Sequence, residues 1–266
     1  NQCNQNEDEK KIVVNDAIVN ASDNPLLDAW PLNSGQTGYL SYPLQRFLGY
    51  NCREICQKSL SSSQLKIHQP CLLHKGVERH DTQSFISCIA DLYSVAKNNA
   101  KDPIESSLSG DISPTVEQIK NTILNKLTID TFIILQGGSL VDVFYKEDLR
   151  VDIAPYIESK LYSNLLINDG GESKEGISTV SEIYLKRVIS AFLMFGQYIR
   201  NNDTVIDYTY LWDLISLPSN LGGLFENGIN MIIINSPTDD IRSKIQVICP
   251  TNAYNDNIYD VNRKTI

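Results

Sequence analysis

A serine at the predicted start of a helix is the first residue in this chain whose type and position could support covalent chemistry. The stretch RHDTQSFISCIADLYS spans residues 79–94, and its apolar residues recur at spacings of three and four, which predicts a helix over 82–98. Asp81 is its predicted N-cap. Ser84 lies in the first turn, where the positive end of the helix dipole favours a nucleophile and an oxyanion. A capped core helix without catalytic chemistry is the alternative interpretation.

A second group of residues has the side-chain types that bind zinc. Cys52 and Cys56 lie one helical turn apart, and Cys71 and His74 follow along the chain. Thiolate and imidazole ligands form the tetrahedral sites that Zn²⁺ prefers. The spacing matches none of the common zinc modules, so the sequence favours small buried cysteines and loop histidines instead. We expect no other cofactor, because the glycine pairs in QGGSL and NLGGL lack phosphate-loop spacing and indicate turns.

The elements that must position these residues are helices in the first two thirds of the chain and strands near its end. Helices are predicted at 43–50, 52–60, 82–98, 114–127, 147–162, 178–200 and 208–217. In the longest, the residues predicted to point inward are Ile183, Val188, Ile189, Phe192, Leu193 and Tyr198. Strands are predicted at 229–236 and 244–249, and a β-hairpin over 130–145 around Gly137-Gly138. This order predicts an α+β fold.

Length, charge and hydropathy restrict the class of protein. The chain has 266 residues, a net charge of −9 and a pI of about 4.8. The acidity and the lack of a basic stripe argue against direct nucleic-acid binding by this domain. No apolar run reaches the roughly 18 residues that a membrane helix needs, so we expect no membrane association. The six cysteines are irregularly spaced, which predicts free thiols in a reducing environment.

The domain organisation predicted from composition is simple. Residues 1–38 are polar with scattered apolar groups, and we predict an N-terminal arm that packs on the domain. Residues 39–266 form a single predicted domain. The chain lacks an initiator Met and ends abruptly at NRKTI, which predicts a fragment of a longer polypeptide.

Two segments far apart in the sequence resemble one enzyme family. DTQSFISCIADLY, residues 81–93, resembles the nucleophile signature of the ovarian-tumour (OTU) cysteine proteases, which are deubiquitinases. Asp81 falls on the Asp of that signature and Ser84 on its catalytic Cys. Downstream, YLWDLISLP and NGINMIIIN are similar to the family's helix and strand before the general base. In CPTNAYND, Ala253 stands at the position of the catalytic His, and Asn255 at that of the orienting Asn or Asp.

The resemblance implies an α+β, papain-like fold with a central helix packed on a small mixed sheet. Catalytic residues carried over from the family are Asp81, Ser84 and Asn255. Ser84 replaces the thiol and Ala253 replaces the base, which implies a degenerate pseudoprotease that binds or scaffolds proteins. An active deubiquitinase with a base from elsewhere is the alternative. A structural zinc or nucleic-acid-associated module is a second alternative.

Longer blocks of the chain resemble a narrower group of proteins. GYLSYPLQRFLGYNC, LLHKGVERHDTQSFISCIADLYS and TFIILQGGSLVDVF are similar to blocks of large proteins from nucleocytoplasmic large DNA viruses. Those proteins resemble the large subunit of the poxvirus-type early transcription factor. The resemblance implies a location in the host cytoplasm, at the viral factory, or in the virion. Its implied partners are ubiquitin, or components of the viral transcription complex or virion.

Overall fold

Helices form most of the structure, and the strands are short. The computed structural model describes residues 32–58, 66, 73–98, 113–170, 176–235, 246–248 and 264–265. Within these residues the helices are α1 (Tyr42–Phe47), α2 (Cys52–Cys56), α3 (Ser84–Asn98), α4 (Val116–Lys126), α5 (Ile129–Phe132), α6 (Ser139–Phe144), α7 (Lys160–Asn168), α8 (Thr179–Arg200) and α9 (Trp212–Ser216). The strands are β1 (Thr37–Tyr39), β2 (Leu73–Lys75), β3 (Ile229–Asn230), β4 (Ile233–Asn235), β5 (Gln246–Ile248) and β6 (Lys264–Thr265). Turns of 3-10 helix lie at Leu135–Gly138, Ala154–Tyr156, Tyr208–Tyr210 and Ser219–Leu221.

The chain divides into two compact units. The first contains Asn1–Gly76, Ile234–Gln246 and Asp260–Lys264, and the second contains Val77–Ile233, Val247–Tyr259 and Thr265–Ile266. Residues 1–31 of the predicted arm lie outside the described residues, so the boundary at residue 38 stays a prediction.

The described part of the first unit includes a two-stranded sheet and two short helices. β1 pairs antiparallel with β2, and Gly38 lies opposite His74. Pro43 occupies the first turn of α1, where its missing N–H costs no hydrogen bond. Gly49 follows α1 with a φ of +61°, a conformation that favours glycine. The side chain of Asn51 caps α2. The helix predicted at 43–50 overlaps α1, which begins one residue earlier and ends three residues earlier.

The second unit is built around α8, the longest helix in the described part of the chain. Its buried apolar residues recur at spacings of three and four, and they are Leu185, Val188, Ile189, Ala191, Phe195 and Ile199. Ser178 caps the helix, because its hydroxyl accepts a hydrogen bond from the N–H of Ser181 at 3.3 Å. Helices α4, α5 and α6 pack against α8. The long helix predicted at 178–200 is therefore confirmed.

Two residues predicted to point inward from α8 are instead exposed. Ile183 is 64% exposed and Leu193 is 38% exposed, whereas Val188 and Ile189 are buried. At about 100° per residue, Ile183 lies on the opposite side of the helix from the buried stripe. The prediction was wrong because it assigned residues by hydrophobicity and left their angular position aside.

The β-hairpin predicted at 130–145 is wrong. This stretch forms α5, a 3-10 turn and α6. Gly137 and Gly138 do have positive φ, 63° and 87°, but they join helices. A buried carboxylate fixes the turn, because the N–H of Gln136 donates to Oδ2 of Asp213 at 2.7 Å. Tertiary contacts of this kind override the β propensity of the local residues.

The strands near the end of the chain agree in type with the prediction. β3 and β4 fall inside the predicted strand at 229–236, and β5 falls inside 244–249. β3 pairs with β6, and β4 pairs with β5. The combination of helices and small antiparallel sheets is an α+β architecture. The helix that packs most closely on α3 is α4.

Candidate functional site

Ser84 is the first residue of α3, and both hydrogen-bonding roles of its hydroxyl are occupied. Its Oγ donates to the carbonyl oxygen of His80 at 2.6 Å. The same Oγ accepts a hydrogen bond from the N–H of His80 at 3.0 Å. A nucleophilic serine must give its proton to a general base, and a backbone carbonyl is not such a base. The hydroxyl therefore holds the turn before α3 and is not activated for attack.

Asp81, the predicted N-cap of this helix, does not cap it. Asp81 is exposed, and it lies in a turn over 81–83 that precedes α3. Its carboxylate makes no hydrogen bond within the described part of the chain. The predicted cap at Asp81 is therefore wrong. Ser84 stabilises this turn instead, because a hydroxyl can donate and accept at once, which a carboxylate cannot.

The two residues between Asp81 and Ser84 connect α3 to the loop that follows α8. The hydroxyl of Thr82 donates to the carbonyl of Asn202 at 2.7 Å, and the N–H of Ile206 donates to the carbonyl of Thr82 at 2.9 Å. Gln83 is 4% exposed, and its Nε2 donates to the carbonyls of Asn202 and Thr204 at 3.2 and 2.8 Å. The residues of the nucleophile-like motif thus serve a structural connection.

A buried lysine completes this polar network. Lys120, on α4, is 1% exposed, and its Nζ donates to the carbonyl of Asn201 at 3.1 Å and to Oδ1 of Asn202 at 2.7 Å. Asn201 is the C-cap of α8, so the ammonium lies at the negative end of that helix dipole. Desolvation lowers the pKa of Lys120, and the negative charge of Glu117 opposes that shift. No pattern in the sequence indicates this contact, because it joins residues about 80 positions apart.

His80 belongs to the same turn and pairs with an acid. Its Nε2 lies 3.3 Å from Oε1 of Glu78, an ion pair when the imidazole is protonated. Serine, histidine and glutamate therefore occur within residues 78–84, the residue types of a hydrolytic triad. The hydroxyl of Ser84, however, hydrogen-bonds to the backbone N–H and carbonyl of His80, and neither group activates a hydroxyl for attack.

The other half of the predicted catalytic site cannot be compared with Ser84. Ala253 and Asn255 lie outside the described residues, as does the intervening Tyr254. Their proximity to Ser84 stays a prediction of the OTU resemblance.

A free thiol lies one helical turn beyond Ser84. Cys88 is the fourth residue after Ser84 on α3, and its sulfur is free. Burial raises the pKa of the Cys88 thiol, and the nearby charge of Asp91 raises it further. Thiolate is the reactive form of cysteine, so this environment makes Cys88 a poor replacement nucleophile.

Cys56, one of the four candidate zinc ligands, cannot bind a metal. Cys56 is buried and disulfide-bonded, and its Sγ lies 3.1 Å from the hydroxyl of Tyr50. A disulfide sulfur has no thiolate to offer a metal, so the prediction of free thiols is wrong at Cys56. His74 lies in β2, where burial lowers its pKa. Cys71 and the side chain of Cys52 lie outside the described part, within which no group of three or more metal-binding side chains converges.

Comparison with known proteins finds no relative of this chain. The chain matches no protein-family model, no curated protein sequence and no solved structure. Among the helices that the structure describes, none has the length and apolar composition of a membrane span.

Proposed function

We propose that this chain is a catalytically degenerate, OTU-like domain that binds or scaffolds proteins within a large viral polypeptide. The observation that supports it best is the pair of hydrogen bonds between Ser84 and the backbone of His80. In the OTU resemblance, Ser84 stands at the nucleophile position and Ala253 at the position of the base. The α+β architecture is compatible with a papain-like arrangement, in which α3 would be the nucleophile helix.

Loss of catalysis follows from the chemistry of the hydroxyl. A serine without a general base keeps a pKa far above neutrality, even at a helix N-terminus. Loss of one triad member typically removes about 10⁴-fold or more of the rate acceleration. Cys88 does not compensate, since burial raises its pKa. The alternative of an active peptidase therefore requires a base that replaces the carbonyl of His80 as the partner of Ser84.

The early turns of α8 offer a surface for a protein partner. Val180, Ile183 and Tyr184 are 77%, 64% and 42% exposed. The three residues are spaced at i, i+3 and i+4, so their side chains lie on adjacent positions of the helix surface. Exposed apolar groups that cluster in this way are typical of interaction surfaces. We call these three residues the α8 face and infer that a protein partner binds there.

Titration of ¹⁵N-labelled ubiquitin with the unlabelled chain tests the partner that the resemblance implies. We expect saturable shift changes in ubiquitin, with no cleavage of its chains. Ile183→Asp should abolish these changes. Val205→Asp is the matched control, because Val205 is 61% exposed and lies in the loop after α8. Binding that survives Ile183→Asp would exclude the α8 face, and lack of any binding would exclude ubiquitin as the partner.

A further inference from the structure

A cavity in the first unit has a lining unlike the surface expected for so acidic a chain. Its volume is about 700 Å³, which falls within the usual range for small-molecule sites. It lies beside β1, α1 and α2, and the lining includes Tyr39, Tyr42, Gln45, Arg46, Tyr50 and Arg53. We call it the Tyr/Arg cavity. Nothing in the proposed protein-binding role uses it.

Local sequence signals hold the wall of this cavity in place. Beyond α1, the N–H of Gly49 donates to the carbonyl of Arg46 at 3.2 Å, and the N–H of Tyr50 donates to the carbonyl of Gln45 at 2.8 Å. This pair of bonds is the Schellman motif, and the φ of +61° at Gly49 makes it possible. Asn51 then caps α2 by accepting a hydrogen bond from the N–H of Glu54 at 3.3 Å. The positions of the lining residues on α1 and α2 are therefore set by backbone geometry.

The charge of the lining is positive. Arg46 and Arg53 contribute two guanidinium groups, and none of the described residues that line the cavity is acidic. Arg46 is exposed and forms no ion pair with any residue that the structure describes. Over residues 32–58 the basic side chains outnumber the single acid, Glu54, although the whole chain carries −9. Guanidinium groups favour phosphate, because their planar donors match its oxygens in bidentate pairs.

Three tyrosines give the cavity aromatic surface beside that charge. Tyr39 is buried, at 5% exposure, and Tyr42 is 64% exposed. Tyr50 is fixed by the contact of its hydroxyl with Sγ of Cys56 at 3.1 Å. Tyrosine rings bind planar ligands by stacking, at a low cost in side-chain entropy. Polar groups of Ser41, Gln45 and Asn51 line the same space.

We propose that the Tyr/Arg cavity binds a nucleoside phosphate. The guanidinium groups of Arg46 and Arg53 hold the phosphate, and the exposed ring of Tyr42 stacks on the base. This combination of positive charge and aromatic surface distinguishes a nucleotide from a simple anion, which would use the arginines alone. A cavity of this size accommodates one nucleotide.

Calorimetric titration of the whole chain with adenosine monophosphate, adenosine and inorganic phosphate tests the proposal. We expect the monophosphate to bind at least about tenfold more tightly than either of its parts, since both sets of contacts are made only together. Arg46→Gln and Arg53→Gln should each weaken the binding of adenosine monophosphate about tenfold. Arg150→Gln should leave it unchanged, because Arg150 is exposed and lies in the second unit.

A second pair of variants separates stacking from charge. Tyr42→Leu should weaken binding of adenosine monophosphate and leave that of inorganic phosphate unchanged. Tyr184→Leu, on α8, should change neither. Circular dichroism spectra would establish that each variant is folded, and Arg46→Gln suffices if Arg53→Gln does not fold. The proposal is overturned if adenosine monophosphate does not bind, if inorganic phosphate binds as tightly, or if Arg46→Gln binds like the unaltered chain.

Discussion

The hydroxyl of Ser84 and the backbone of His80 are joined by two hydrogen bonds of opposite direction. Ser84 Oγ donates to the carbonyl at 2.6 Å and accepts from the N–H at 3.0 Å. Both groups of His80 would otherwise need water or another partner at the edge of α3. The residue that resembles a nucleophile therefore stabilises the local fold.

Ser84→Ala should lower the free energy of unfolding by about 1 kcal/mol, the usual cost of removing a hydroxyl that satisfies backbone groups at a helix start. Urea denaturation followed by circular dichroism measures it. Ser219→Ala is the control, since Ser219 is exposed and its hydroxyl makes no hydrogen bond within the described part of the chain. Equal stability of both variants would show that the two bonds to His80 contribute nothing.

Lys120→Met should lower the free energy of unfolding by about 1–3 kcal/mol, because it removes a charged donor from two oxygens at the end of α8. Those oxygens are the carbonyl of Asn201 and Oδ1 of Asn202. Chemical denaturation at neutral pH measures the change, with Lys160→Met as an exposed control. A Lys120→Met variant as stable as the unaltered chain would contradict the role assigned to the ammonium.

Because the pKa of Tyr198 is raised, we expect the protein to lose stability in strong alkali. Burial, together with Asp207 and Tyr210, raises the pKa of Tyr198 from 10.0 to about 12. Above pH 10 the unfolded chain loses the phenolic proton while the folded chain keeps it. The unfolded state then binds fewer protons, so stability falls as the pH rises from 10.0 to about 12.

Tyr198→Phe should flatten this decline, because phenylalanine does not titrate. Guanidinium denaturation at intervals between pH 9 and 11.5 compares the two slopes. Tyr184→Phe, an exposed position on the same helix, serves as the control. The same slope in Tyr198→Phe and the unaltered chain would rule out the assignment. Lys120 has a lowered pKa and contributes a slope of the opposite sign in both proteins.

Ser87→Ala should keep or slightly raise the stability, in contrast to Ser84→Ala. Ser87 is buried on α3, at 6% exposure, and its hydroxyl has no hydrogen-bond partner among the described residues. Removing such a hydroxyl recovers its desolvation cost, so we expect a change between zero and about +1 kcal/mol. Thermal unfolding of the two alanine variants side by side measures it. A clear loss of stability in Ser87→Ala would mean that the hydroxyl has a partner.

The sequence predicted the elements that depend on local signals. Gly49 after α1 and the apolar spacing of α3 each indicate a helix or its boundary from neighbouring residues. The prediction of a hairpin at 130–145 was wrong, because the turn that forms there depends on Asp213, which lies far along the chain. The prediction that Ile183 points inward was wrong, because the hydrophobicity of a residue alone does not show which face of a helix is buried.

The sequence predicted which types of residue form the candidate site, but it did not predict which residues they contact. Ser84 is at the start of α3, close to where the apolar pattern places it. The connection of Gln83 and Lys120 to the end of α8 joins residues far apart in the sequence, and no spacing rule detects such contacts. The Tyr/Arg cavity, by contrast, depends on a local turn at Gly49, which brings α1 and α2 together.

Cleavage of ubiquitin chains by the purified domain distinguishes a degenerate domain from an active peptidase. The assay compares the unaltered chain with Ser84→Ala over long incubation at neutral pH and follows free ubiquitin by gel electrophoresis and intact-mass spectrometry. We predict no cleavage above the buffer control by either protein, because the proton of Ser84 is donated to the carbonyl of His80. Cleavage by the unaltered chain that disappears in Ser84→Ala would establish Ser84 as a nucleophile and rule out a catalytically degenerate domain.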